Sequence, residues 1–226
     1  ADYLFLYFVG MYVLLLVMKV DFRLAILGAL AFGFSTYFII ILGVGHNAKA
    51  HAIAYMPLVL SGILLTFRGK LFYGFLLLTL SMGLELVANH FQMTYYLLLL
   101  VGIIGIVYFI DAWKKKILPQ YFKAVGVMGI AVVFALGLNA TNLLATQEYA
   151  DESTRGKSEL TINPDGSPRE NKSGLDFEYI TEYSYGRMES LNLFIPRFMG
   201  GSSTEALPKE SKTAEELYRM GASPQE

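Results

Sequence analysis

The chain has 226 residues, 54% hydrophobic and 16% charged, with a mean hydropathy of +0.46 and a formal net charge of -1. A soluble domain of this length cannot bury that much apolar surface, so the composition places the chain among multi-spanning membrane proteins. The near-neutral charge gives no footprint for nucleic acid, and the absence of cysteine excludes disulfides and thiolate metal sites.

Apolar residues begin at Tyr3 with neither a basic leader nor a small-residue cleavage pattern, which argues against a signal peptide and for a first transmembrane helix over 3–18, clipped at its start. Lys19, Asp21 and Arg23 form the turn after it, and a second span covers 24–42. The polar link GVGHNAKAH, residues 43–51, leads to a third span over 52–67, which contains Pro57 and stops at Arg68, Gly69 and Lys70. A fourth covers 71–88. A fifth covers 94–110, closed by Asp111, Trp113 and the lysines 114–116, and a sixth covers 121–138. Each run is roughly 16 to 20 residues, near the length that crosses about 30 Å of hydrocarbon at about 1.5 Å per residue. The expected fold is an all-α polytopic bundle of six spans over 1–140, followed by a mixed, polar extracytoplasmic segment over 141–226.

Alternate links carry Lys19 and Arg23, then Arg68 and Lys70, then Lys114, Lys115, Lys116 and Lys123, whereas the links between them carry only Lys49. By the positive-inside rule the basic links are cytoplasmic. His46, His51 and His90 then fall at the outer face, together with the segment after the sixth span.

Between the fourth and fifth spans the stretch LELVANHFQMTYY, residues 84–96, places Glu85, Asn89, His90 and Gln92 where hydrocarbon tolerates no unpaired polar group. Glu85 lies four and five residues before Asn89 and His90, so continued helix would put the three on one side. Two readings follow. One is a buried polar cluster that pins helix packing, each interhelical hydrogen bond contributing roughly 1 kcal/mol or less. The other is a substrate pocket in which a carboxylate and an imidazole exchange protons or hold hydroxyl groups. His46, Lys49 and His51 come close together in a helical start, where Lys49 either contacts an anionic headgroup or snorkels at the interface. They lack the tight HxxxH or HExxH spacing of a metal site. Tyr95 and Tyr96 fit an aromatic belt equally with a surface for stacking on a sugar.

Beyond the sixth span, Glu148, Asp151, Glu152 and Arg155 have helical spacing, and Glu152 and Arg155 can pair at i and i+3. Alternatively Arg155 and Lys157 grip a phosphate, for which the planar guanidinium is well matched. Residues 163–174 read as a loop. Residues 183–203, YSYGRMESLNLFIPRFMGGSS, are too apolar for a linker and are expected to pack on the membrane face or on another part of the protein, while 205–226 is charged. The sequence has no glycine-rich phosphate loop, nucleophile elbow or repeat.

Four stretches taken together, GHNAKAHAIAYMPL (45–58), LELVANHFQMTYYL (84–97), EYADESTRGKSELT (148–161) and YSYGRMESLNLFIPRFMGGSS (183–203), resemble the YfhO family of bacterial membrane proteins in its Bacteroidetes form. Members are similar to GT-C glycosyltransferases, which take a sugar from a polyprenyl-phosphate donor on the outer face of the membrane. The resemblance implies the bacterial inner membrane as the location, with 141–226 on the periplasmic side. It implies membrane lipid, a lipid-linked sugar donor and an envelope polymer, lipid or protein acceptor as partners. Substrate binding would fall to His46, Lys49, Asn89, His90 and Gln92, with Arg155 and Lys157 near the donor phosphate. No cofactor is fixed, and a divalent metal ion is left open. GT-C enzymes place their catalytic acidic residue in the first outer loop, and this chain is read as starting beyond it, which leaves Glu85, Glu148 and Asp151 as the weaker substitutes. A transporter or flippase of lipid-linked saccharides and a non-catalytic assembly subunit are the competing classes.

Overall fold

The structure, a computed structural model, describes residues 2–151, 153, 167, 177–182, 184–195, 197–199 and 210–221. Among these residues all regular structure is helical. The chain divides into two units, 1–182 and 183–226. The first holds α1 (Asp2–Val17), α2 (Phe22–Gly33), α3 (Thr36–Gly43), α4 (Asn47–Phe67), α5 (Leu71–Val87), α6 (Phe91–Lys114), α7 (Leu118–Leu138), α8 (Ala140–Asp151) and the short α9 (Phe177–Thr181).

Three helices, α4, α6 and α7, are each long and apolar enough to cross a membrane, and the bent pair α2 and α3 makes a fourth if counted as one span. Helices α1 and α5 are apolar but shorter, with 16 and 17 residues. The chain is thus helical in its described residues, with three or four segments that meet the length and apolarity for a full membrane crossing.

The run expected as one helix over 24–42 is broken. Ser35 has extended backbone, φ -60° and ψ 143°, and the two halves meet at 43°. Hydropathy is blind to this, because the break depends on backbone preference. Gly33, Ser35 and Thr36 are weak helix formers, and Gly33 lies against the ring of Phe8, where a side chain would collide. The third span begins earlier than expected, at Asn47, because Ala48, Ala50 and Ala52 carry the helix through residues read as a polar link. The fifth and sixth likewise extend to Phe91–Lys114 and Leu118–Leu138.

Four helix ends share one closing device. Lys19, Gly45, Gly69 and Lys116 are left-handed, with φ from 58° to 81°. Each is followed by a residue whose N–H donates to the carbonyl five positions back, as Ile117 does to Ala112 at 2.9 Å, so orphan carbonyls at the helix end are satisfied. The end of α5 closes on shorter spacings. Ala88 N–H donates to the Glu85 carbonyl at 3.1 Å, and the left-handed Asn89, φ 52°, donates to Leu86 at 3.0 Å.

Helix α4 is the most buried of the three long helices. Its contact with α5 is close because both present glycine: a Cβ on Gly62 would stand 2.7 Å from the Leu78 nitrogen, and one on Gly74 would stand 2.7 Å from the Thr66 nitrogen. Small residues permit that approach, which supplies van der Waals packing where lipid offers no hydrophobic drive. Ser61 and Thr66 turn their hydroxyls back onto the carbonyls of Pro57 and Gly62 at 2.7 and 2.8 Å, so neither is left unpaired in the interior. Tyr7 of α1 is fully buried, stacks on Phe38 of α3 with centroids 4.5 Å apart, and donates to the Ala50 carbonyl at 3.0 Å. The Arg68 guanidinium at the other end of α4 donates to the Val17 carbonyl. These two contacts make α1 and α4 parallel neighbours.

The second unit contains a short 3-10 turn, Glu189–Leu193, and α10, Lys212–Arg219. Ser211 caps α10 by accepting from Ala214 N–H at 3.1 Å, and Arg219 pairs with Glu216 at 2.8 Å on its exposed face.

Candidate functional site

The first turn of α4, the α5–α6 turn and the start of α8 lie at one end of the first unit. Tyr7, Ala50, Ala88 and Met93 share one apolar cluster there, and Asn89 donates from Nδ2 to Thr146 Oγ1 of α8 at 2.7 Å. By connectivity the basic links are at the opposite end, so this is the end assigned to the outer face.

Glu85 is completely buried. Its Oε1 accepts from the Thr94 hydroxyl at 2.9 Å, and its Oε2 has no partner. The expectation that Glu85, Asn89 and His90 share one helical side is corrected by the end of α5 at Val87: the left-handed Asn89 rotates the chain, and Glu85 pairs across the turn with α6 instead. Asn89 joins α8, and its Oδ1 is buried and unpartnered. His90 stands half-buried as the residue preceding α6, its carbonyl accepting from Met93 N–H at 2.9 Å. Asn139, at the end of α7, is buried and donates to the Gly83 and Ala135 carbonyls at 3.0 and 2.9 Å, which locks α7 to α5 just below this corner.

The other predicted residues are dispersed around the same end. His46 is exposed at the N-terminus of α4, and Lys49 is half-buried one turn on. His51 is held in an aromatic row, its ring 5.5 Å from Tyr3 and 5.1 Å from Tyr55. Gln92 is exposed and donates to Tyr96 Oη at 2.7 Å. Glu148 is exposed on α8. Arg155, Lys157 and Glu152 lie outside the described residues, as does the Asp151 side chain, so the expected Glu152–Arg155 pair lies outside them too. Among the described residues no three His, Asp or Glu side chains are placed to hold a metal ion.

Thr94, Thr146 and Asn139 carry contacts that sequence alone does not single out. Thr94, near the start of α6, and Thr146, in the middle of α8, look like ordinary polar residues, and their partners are separated from them by a turn or by two whole helices. Asn139 does carry a signal, an amide closing an apolar run, where an unpaired amide would be costly.

Beneath the Glu85–Thr94 pair an apolar cleft of about 440 Å³ runs between α4, α5, α6 and α7, with Val59, Leu78, Leu97 and Met128 among its walls. Thr94 is among its lining residues, but the exposed walls are entirely apolar, so the hydroxyl that holds Glu85 does not face the cleft. Comparison with protein-family models, with curated proteins and with solved structures finds no match to this chain.

Proposed function

We propose that the chain supplies the membrane helices and an outer segment of a GT-C-type glycosyltransferase, which moves a sugar from a polyprenyl-phosphate donor to an envelope acceptor on the outer face of the bacterial inner membrane. The resemblance to the YfhO family supplies the donor class. The observation that supports it is the apolar cleft of about 440 Å³ between α4, α5, α6 and α7. Such a cleft fits a hydrocarbon chain, because its exposed walls are entirely apolar. In this reading six segments cross the bilayer. The pair α2 and α3 connects the end of α1 to the start of α4, which are at opposite ends, so it traverses as one bent span. The shorter α1 and α5 run alongside α4.

In the transfer step an acceptor hydroxyl loses its proton to a carboxylate, its oxygen bonds to the anomeric carbon, and the bond from that carbon to the phosphate oxygen breaks with the electron pair leaving on the lipid phosphate. Glu85 is unsuited to the base role because it is sealed from solvent; it holds the corner of the site. Glu148, exposed on α8, is the accessible carboxylate among the candidates in the described residues. His46, Lys49, Asn89, His90 and Gln92 border the outer face, with Lys49 as a cation for the charge growing on the leaving phosphate. Arg155 and Lys157 are assigned the same task from the resemblance.

The test uses full-length protein with a radiolabelled polyprenyl-phosphate sugar and a cell-envelope acceptor. Donor consumption is expected, falling on the order of 100-fold in Arg155→Ala if that cation stabilises the departing phosphate. Folded protein that binds polyprenyl phosphate yet turns over no donor would overturn the reading in favour of a flippase or an assembly subunit.

A further inference from the structure

In the second unit, residues 184–199 reverse the usual arrangement of a water-exposed loop. Two of the three half-buried residues are polar, Leu191 being the third: Glu189 accepts from Gly186 N–H at 2.6 Å, and Asn192 accepts from Met199 N–H at 2.9 Å. Further N–H groups, those of Leu191, Phe194, Ile195 and Phe198, donate to carbonyls within the same segment. The large apolar side chains point outward: Tyr185, Met188, Phe194, Ile195, Phe198 and Met199 are all exposed, Phe194 at 80%.

We infer that this segment docks on the bilayer surface, with its apolar side chains entering the boundary between headgroups and acyl chains. Three observations select lipid as the occupant. The loop satisfies these backbone donors itself, which entry into a medium poor in hydrogen-bond partners requires. Glu189, the single carboxylate between residues 184 and 199, is turned onto the Gly186 N–H, and the segment also carries Arg187 and Arg197, so its net charge is positive and complementary to anionic headgroups. The same chain carries helices long and apolar enough to cross a membrane, so a bilayer is the apolar phase at hand. The inference does not depend on the glycosyltransferase reading.

The chain has no cysteine, so a single introduced thiol reports one position. Phe194→Cys and Lys212→Cys variants of this chain, each labelled with bimane, are reconstituted in vesicles of phosphatidylethanolamine and phosphatidylglycerol. Lipids spin-labelled near the headgroup end of the acyl chain are expected to cause loss of fluorescence for Phe194→Cys and to leave Lys212→Cys unchanged. Met188→Cys, on the same surface, repeats the measurement should Phe194→Cys fail to fold. Equal response of the two probes to aqueous iodide, with no loss to spin-labelled lipid, would overturn the inference by placing the loop in water. Protection of the Phe194→Cys probe from both quenchers would overturn it in favour of a protein surface.

Discussion

At Asn89 the backbone takes a left-handed conformation that costs most side chains roughly 1–2 kcal/mol and that Asn tolerates better than others. Its side chain also joins α5's end to Thr146, so one residue both shapes the corner and braces it. Asn89→Gly is expected to keep the turn and lose the brace, whereas Asn89→Val loses both; melting of the purified protein in detergent should rank Val below Gly below wild type. The neighbouring pair separates structure from function. Thr94→Val strands the Glu85 carboxylate in the interior and is expected to destabilise by about 1–3 kcal/mol. The double variant Glu85→Leu with Thr94→Val removes both polar partners and should recover most of that loss. Recovery of melting temperature with donor turnover still lost would assign the pair to the site, and recovery of both would make it a packing device. The pairing is not legible in the sequence: Glu85 stands out as a charge in an apolar run, but its partner depends on where α5 stops, which Asn89 decides through φ.

Helices are the legible level. Apolar runs of near-spanning length, punctuated by lysine, arginine and glycine, locate the six apolar segments, because so long a stretch without charge is costly to leave in water and stable in hydrocarbon. Their ends are less legible, since alanine-rich polar turns continue a helix that hydropathy would stop, as at Asn47. The break at Ser35 is invisible for the converse reason: Phe34 and its neighbours are apolar enough to read as continuous span. The glycine pair between α4 and α5 gives this scale its own prediction. Gly62→Val drives a side chain into the Leu78 backbone and is expected to destabilise by roughly 1–3 kcal/mol. Gly129→Ala, on an open face of α7 with nothing within 4 Å, should stay within about 0.5 kcal/mol of wild type. Thermal unfolding of the two variants side by side checks the contrast.

For the whole molecule, the arrangement of ends makes a statement about sidedness. The contacts Tyr7 to Ala50 and Arg68 to Val17 align α1 with α4, so the chain between them must travel from one end of the bundle to the other. In a cysteine-free chain this is measurable directly. His46→Cys and Glu148→Cys should react with a membrane-impermeant maleimide on intact spheroplasts, and Lys19→Cys and Lys116→Cys only after permeabilisation. Labelling of His46→Cys and Lys19→Cys from the same side would show that α2 and α3 dip into the bilayer and return, which would remove a crossing from the count.

Two of the left-handed helix ends are occupied by lysine, Lys19 and Lys116, where glycine would be the more comfortable choice. Their ammonium groups therefore sit just past a helix C-terminus, where the aligned peptide dipoles favour positive charge, and in the links that decide orientation during insertion. Stopping the helix and orienting it are thus entrusted to the same side chain. Lys116→Gly relaxes the backbone but removes one of the basic-link charges on which the positive-inside rule acts, so a gain in folded stability would come with a weaker instruction to the insertion machinery. The identity of these residues is a compromise between a bilayer that has to be entered the right way round and a turn that would be easier without a side chain.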